Sequence, residues 1–212
     1  MKNKIISIFF LCSLSISVLA QKDPEAMKIL DRFSETARKA PSVSMDFSIV
    51  TVNQMEKTTD TLNGSVILSG DRYRLELPDN TVWFDGATSW SYLPAENEVT
   101  ITKPGRKDNS FQSKPSAIFS MYKKDYKIKF VDETTRNFII DLYPEDIKSD
   151  LVRIRLTIEK LKYNLVSLEY KKKDGITSTL YVKKYNLDQQ PGENAFVFQP
   201  SRYKDVEIND IR

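Results

Sequence analysis

Short runs that alternate apolar with polar residues fill most of the chain after residue 42, and they restrict what it can fold into. Residues 43–49, VSMDFSI, are one example, and this alternation is typical of a strand with one buried face. Glycine-containing turns such as Asp85-Gly86 and Lys173-Asp174-Gly175 separate several of these runs. Roughly ten strands joined by such hairpins form a meander. The sequence therefore predicts a mainly β fold with one large antiparallel sheet, which must curl.

Two helices are predicted beside this sheet. The first begins at Pro24, because Asp23 is a suitable N-cap and proline is favoured at the first helical position. Its apolar residues keep the helical period and form one stripe: Ala26, Leu30, Phe33 and Ala37. A second, short helix is predicted from Pro115, within PSAIFSMYKK. These helices are the only segments available to cover the concave side of the sheet.

Alternation also assigns residues to the two faces of the sheet. The polar face is predicted to carry Arg72, Arg74, Glu76, Ser89, Ser91, Arg153 and Arg155. The apolar face is predicted to line a cavity with Phe47, Ile49, Leu68, Tyr73, Leu75, Leu77, Phe84, Trp90, Tyr92, Val99 and Ile101. The lid over this cavity is predicted to consist of Leu30, Phe33, Ile118, Phe119 and Tyr122. An ordinary core packed by the two helices would give the same pattern, and periodicity alone favours that interpretation over a lined cavity, because aromatic stripes usually belong to a core.

The N-terminus has the pattern of a secretory signal peptide. Lys2 and Lys4 precede an uncharged apolar run that ends at Ala20, and this run is shorter than a membrane-spanning helix requires. Cys12 lies inside the run and follows a leucine, so it does not fit a lipoprotein cleavage site. We therefore expect a signal peptide over residues 1–20, cleavage after Ala20, and one domain over residues 21–212 in the periplasm.

The composition of the mature chain argues against most kinds of catalysis. The sequence has no histidine and only one cysteine, which the signal peptide would remove; histidine and thiolate chemistry are therefore excluded. No phosphate-binding glycine motif is present. Removing Lys2 and Lys4 lowers the formal charge from +3 to +1, so no basic excess favours nucleic acid. We expect a protein without enzymatic activity, cofactor or metal; a glycosidase with a carboxylate pair is a distant alternative.

Several segments resemble the outer-membrane lipoprotein carrier protein family, LolA. They are the helix from Pro24, Gly64 followed by Tyr73-Arg74-Leu75, the stretch DGATSWSYLPAENEVTI, and AFVFQPSRYKDVEIND, which is similar to the closing strand of that family. Their order and spacing cover nearly the whole mature chain. The closest similarity is to the shorter, Tyr- and Lys-rich versions of Bacteroidetes-like bacteria.

The resemblance implies an unclosed half-barrel with a helical lid that carries lipoproteins across the periplasm by their acyl chains. The implied partners are an inner-membrane ABC-type transporter that releases lipoproteins and, if present, an outer-membrane acceptor; the carrier is expected to be a monomer. Burial stabilises each CH₂ by about 0.8 kcal/mol, so a long acyl chain requires a comparably large apolar wall. Such a wall, with no charged anchor, would also permit release.

One departure from the family concerns the lid. Many members carry an Arg-Pro pair between their second and third strands, and its arginine holds the lid, whereas this chain has Ser69-Gly70-Asp71 there. We expect apolar contacts alone to hold the lid. The alternative function is a periplasmic module with the same fold that senses a lipid or a protein.

Overall fold

The computed structural model describes residues 23–103, residue 111 and residues 114–212. The predicted signal peptide and its cleavage position lie outside the described residues. Within the described ranges, no helix combines the length and the apolar character needed to cross a membrane.

One sheet of twelve strands organises the described part of the chain. The strands are β1 (Val43–Asn53), β2 (Thr58–Ser69), β3 (Arg72–Leu77), β4 (Asn80–Phe84), β5 (Ser89–Leu93), β6 (Glu98–Thr102), β7 (Tyr126–Glu133), β8 (Asn137–Pro144), β9 (Leu151–Glu159), β10 (Leu165–Lys172), β11 (Ile176–Asn186) and β12 (Glu207–Asp210). Their spatial order is β12-β6-β5-β4-β3-β2-β1-β11-β10-β9-β8-β7. Because β12 and β7 form the two edges, the sheet does not close into a barrel.

This topology confirms the predicted mainly β fold with an unclosed sheet. Most neighbours are antiparallel, and the hairpin at Asp85-Gly86 forms as predicted, with Asp85 Oδ1 accepting from the amides of Ala87 and Thr88 at 2.8 Å. The sequence did not indicate that β12 pairs parallel with β6. The predicted closing strand, within AFVFQPSRYKDVEIND, is also shorter than expected. Within this described segment, only Glu207–Asp210 forms a strand, and Phe196, Phe198 and Pro200 precede it.

The helix α1 (Pro24–Lys39) begins where the sequence predicts. Asp23 Oδ1 accepts hydrogen bonds from the amides of Glu25 and Ala26 at 3.1 and 3.2 Å, and the predicted apolar stripe is buried. The second predicted helix is instead two short 3₁₀ helices, Pro115–Phe119 and Met121–Lys123, which we call the 3₁₀ segment. Both α1 and the 3₁₀ segment pack on the concave face of the sheet.

Gly64 allows close packing at the centre of this face. It lies opposite Phe47 on β1, and a Cβ atom there would be 2.7 Å from Phe47 Cζ and 2.8 Å from the carbonyl oxygen of Glu76. We expect Gly64→Ala to lower the free energy of unfolding by about 2 kcal/mol, because the backbone oxygen cannot move aside easily. Urea denaturation measures this loss. Gly192→Ala is the control, since its Cβ would meet nothing within 4 Å; equal losses in both variants would contradict the packing argument.

Candidate functional site

The concave face of the sheet is apolar across most of its strands. Four predicted wall residues are buried there: Phe47, Leu68, Tyr73 and Leu75. Leu77, Phe84 and Ile49 pack against the same core. The structure therefore brings these seven predicted residues together on one face, where α1 and the 3₁₀ segment cover most of them.

The other four predicted wall residues lie on the opposite face. Directly paired residues share a face of a sheet, and β4 pairs Phe84, from the concave face, with Ser89 but Trp83 with Trp90. The same register carries Tyr92, Val99 and Ile101 to the outer face with Trp90. The prediction that all eleven residues share one face is wrong for these four, and Ser89 and Ser91 take the concave positions instead.

The outer aromatic residues pack against the C-terminal segment, residues 187–206. Trp83 contacts Phe198 with ring centroids 5.4 Å apart, and Tyr92 contacts Tyr203 at 4.6 Å. Val99 is fully buried in this second cluster. The aromatic residues of β4 and β5 thus have two roles: Phe84 contributes to the concave core, whereas Trp83 and Tyr92 hold the C-terminal segment on the outside.

The predicted lid residues meet above the concave face. Leu30, Phe33, Ile118 and Tyr122 are buried in the concave core. Phe119 is half-buried and its ring centroid lies 5.1 Å from that of Phe33. The α1 helix and the 3₁₀ segment are thus packed against each other as well as against the sheet.

Hydrogen bonds add to these apolar contacts, so the expectation that apolar contact alone holds the covering elements is wrong. The Tyr122 hydroxyl donates to Asp31 Oδ1 of α1 at 2.6 Å, and burial together with this bond raises the pKa of Tyr122. Ser116 Oγ donates to Asp71 Oδ1 at 3.1 Å on the surface. Asp71 belongs to the turn where the family carries its Arg-Pro pair, so this chain joins the turn to the 3₁₀ segment through an aspartate.

A cavity of about 720 Å³ opens beside the covered core. Its apolar lining comes from Ile49, Phe111, Met121, Leu151, Ile154 and Leu180. Of the eleven predicted wall residues, only Ile49 lines it. The remaining side chains come from β1, β7, β9, β10, β11, the 3₁₀ segment and the adjoining loops. The alternation that puts Tyr170 and Lys172 on one face of β10 is the sequence signal that could have found part of them.

The volume is large enough for a small apolar ligand. Small-molecule sites occupy roughly 300–1,000 Å³ and are lined mainly by apolar side chains. Among the described residues, no group of histidine, cysteine, aspartate and glutamate side chains is arranged to hold a metal ion. The arrangement supports non-covalent binding of an apolar ligand.

The fold is an unclosed sheet with a covered concave face and a cavity beside it. The chain belongs to the outer membrane lipoprotein carrier protein LolA family, whose sequence model matches residues 16–175. No curated protein matches the sequence.

Three solved structures are similar to this chain at low sequence identity. An uncharacterized conserved protein from Thermus thermophilus has a TM-score of 0.60 and 14% identity, over 88% of this chain and 99% of that one. A putative outer membrane lipoprotein-sorting protein domain from Vibrio parahaemolyticus has a TM-score of 0.45 and 11% identity, over 82% and 97%. The MucA/MucB complex of Pseudomonas aeruginosa includes a chain with a TM-score of 0.42 and 12% identity, over 82% and 61%.

Proposed function

We propose that this protein carries lipoproteins through the periplasm with their acyl chains in the cavity. The observation that supports this most is the cavity of about 720 Å³, which continues the apolar concave face next to the covering elements. A long acyl chain gains on the order of 10 kcal/mol when it leaves water. That gain is enough to displace the 3₁₀ segment, which we call the cover, from its contacts with α1 and the sheet.

In this proposal the 3₁₀ segment moves away from the sheet when the acyl chains bind. Opening of the 3₁₀ segment would extend the cavity onto the buried wall residues Phe47, Tyr73 and Leu75, which then contact the acyl chains. The cost of opening must stay below the gain from burying the ligand. The tilted Phe33–Phe119 ring contact contributes about 1 kcal/mol to the cost of opening, and the hydrogen bond from Tyr122 to the Asp31 carboxylate about 2 kcal/mol. Exposure of Ile118 and Tyr122, which are buried, adds about 2 kcal/mol each.

The proposed partners follow from the carrier role. The protein receives lipoproteins from an inner-membrane ABC-type transporter and delivers them to an outer-membrane acceptor, as a monomer and without a cofactor. The alternative is a periplasmic sensing module, which would bind a protein rather than an acyl chain.

The proposal is tested with one peptide in two forms. The mature protein should bind an N-terminally acylated lipoprotein peptide and not the same peptide without its acyl chains, by isothermal titration. Mass spectrometry of the purified protein should also detect acylated peptides or lipids. Equal binding of both peptide forms would favour the sensing module and contradict the carrier.

The proposed export of the protein predicts where its mature N-terminus lies. We expect the mature protein to begin at Gln21 in the periplasmic fraction, because the small residue Ala20 ends the apolar run. N-terminal sequencing of the fractionated protein measures this. An acylated Cys12 at the mature N-terminus would contradict it.

The cover should be less stable than the sheet. Amides of residues 118–122 are expected to exchange with deuterium faster than those of residues 152–158, because the 3₁₀ segment has only short i to i+3 bonds such as Ser120 to Ala117 at 3.0 Å. Their exchange should change when an acylated peptide binds. Hydrogen exchange with mass spectrometry measures both. If residues 118–122 are as protected as β9 and do not respond to the peptide, the segment is core and not a cover.

A further inference from the structure

Side chains that carry hydroxyl groups form one row across three strands of the cavity. The register places Thr51 of β1 opposite Ser178 of β11, and Ser178 opposite Tyr170 of β10. All three line the cavity, and the Thr51 and Ser178 hydroxyl oxygens are 3.0 Å apart. This row lies nearer the β1–β2 hairpin than Ile49 and Leu180 do.

The next row toward the covered core is apolar. Ile49 of β1 lies opposite Leu180 of β11, which lies opposite Leu168 of β10. Leu168 and Leu180 are buried, whereas Ile49 is half-buried. The two adjacent rows give the cavity a polar end and an apolar end, and this orients any ligand with both characters.

The Tyr170 hydroxyl group, at the polar end, is an unsatisfied hydrogen-bond donor. Its hydroxyl oxygen is buried but has no hydrogen-bond partner among the described residues. Burial raises the pKa of Tyr170, so the hydroxyl stays protonated and available as a donor. A buried donor without a partner destabilises a protein, because it has lost its hydrogen bond to water. A ligand oxygen at this position would remove that penalty.

Positively charged side chains also line the cavity, and one of them lies beside Tyr170. The lining includes four lysines, Lys114, Lys123, Lys124 and Lys172, and Asp125 as its acidic residue. Lys172 follows Tyr170 on the same face of β10, one pleat further out, and it is exposed. The sequence predicted a wall without a charged anchor, whereas the structure places one cation, Lys172, beside Tyr170.

We propose that the cavity binds an acyl ligand whose polar end carries a negative charge, as the carboxylate of a fatty acid or the phosphate of a phospholipid does. The acyl chain lies against Ile49 and Leu180. The anionic group accepts a hydrogen bond from Tyr170 and is neutralised by Lys172. This inference rests on the proposed acyl-binding function and adds the chemistry of the ligand's polar end.

The test compares ligands that differ in the polar end. Affinities of the mature protein for palmitate, lysophosphatidic acid and methyl palmitate are measured below their micelle concentrations. At least one of the two anionic ligands should bind about tenfold more tightly than the neutral ester. The difference should shrink as salt is added, because exposed lysines are screened. Preference between palmitate and lysophosphatidic acid identifies the anion as a carboxylate or a phosphate.

Variants connect the preference to the named side chains. Lys172→Gln should weaken binding of the anionic ligand about fivefold and leave methyl palmitate unchanged. Lys171→Gln is the matched control, since Lys171 is exposed on the same strand but lies on the outer face, opposite Arg153. Tyr170→Phe should weaken the anionic ligand about tenfold, through loss of a hydrogen bond to a charged group.

The outcomes separate this inference from the proposed function. Equal binding of all three ligands, with no effect of Lys172→Gln, overturns the anionic preference but leaves acyl binding intact. Failure of all three to bind overturns both.

Discussion

Ser178→Trp is expected to weaken binding of an acylated peptide by on the order of 100-fold. Ser178 lies in the hydroxyl row of the cavity, between Thr51 and Tyr170. An indole at this position is expected to fill the polar end of the cavity and to reach the neighbouring row of Ile49 and Leu180, where the acyl chain lies. If it excludes about four CH₂ groups, each worth about 0.8 kcal/mol, the loss is about 3 kcal/mol, which corresponds to a factor above 100. Isothermal titration with the acylated peptide measures it.

The neighbouring residue provides the control for this variant. Thr179 is half-buried like Ser178, but it lies opposite Val50 and Glu169 on the outer face of the sheet. Thr179→Trp should therefore change affinity less than twofold. Circular dichroism and thermal melting of both variants show whether each is folded. Equal affinities of a folded Ser178→Trp protein and the wild type would mean that the acyl chain binds elsewhere.

Local patterns were sufficient to predict the fold. The N-cap at Asp23, the stripe of α1 and the alternation of β1 and β3 each depend on residues a few positions apart. The turn at Asp85-Gly86 is similarly local, because the Asp85 carboxylate accepts from the next amides. Short hairpins then bring successive strands together, so one large antiparallel sheet follows from the order of the elements. That the sheet stays unclosed was implied only by the resemblance to the LolA family, since the β1–β11 pairing joins strands far apart in the chain.

Local patterns could not show which side chains of β5 and β6 lie on the concave face of the sheet and which lie on the outer face. In β4, the adjacent residues Trp83 and Phe84 are both large and aromatic, so alternation does not show which of them faces the core. The answer depends on the C-terminal segment, where Phe198 covers Trp83 from more than a hundred positions further along the chain. A strand that is covered on both faces loses its period-two signal.

The position of the cavity depends equally on distant residues. Its lining combines β1 with strands β9 to β11 and with the 3₁₀ segment, and each contributes only a few side chains. The exposed lysine at its polar end reads in the sequence as an ordinary surface residue, because nothing local distinguishes Lys172 from Lys171. Strand register, rather than composition, places one at the cavity and the other on the opposite face.

The second large effect is expected at Asp141, on the outer face of the sheet. Asp141 is 1% exposed, and its carboxylate accepts hydrogen bonds from Arg155 Nε at 2.7 Å and Nη2 at 2.9 Å. Tyr143 donates to it at 3.0 Å, and Arg153 lies 3.5 Å away. We expect Asp141→Asn to lower the free energy of unfolding by about 3 kcal/mol, because it leaves the partly buried Arg155 guanidinium without its paired carboxylate. Arg153 keeps its second partner, Glu169. Urea denaturation at pH 7 measures the loss.

An exposed carboxylate, that of Asp46, provides the control for the Asp141→Asn variant. Asp46 pairs with Lys184 at 3.0 Å, and its side chain is 46% exposed. Asp46→Asn should cost less than about 1 kcal/mol, as surface ion pairs do. Similar losses in both variants would show that burial of the Asp141 cluster adds nothing to its stability.

The pH dependence of unfolding provides an independent test of the Asp141 cluster. Burial on its own raises the pKa of Asp141, but the hydrogen bonds from Arg155 and Tyr143 and the charge of Arg153 together lower it below the ordinary value of 3.8. A carboxylate with a lowered folded-state pKa stabilises the protein above its unfolded-state pKa, and this stabilisation disappears as pH falls through the folded-state pKa. The wild type should therefore lose the Asp141 contribution below about pH 4. Asp141→Asn lacks this contribution at every pH, so the two stability curves should converge in acid. Parallel curves down to the acid transition would show that Asp141 has the same pKa in both states and would contradict the ion-pair account.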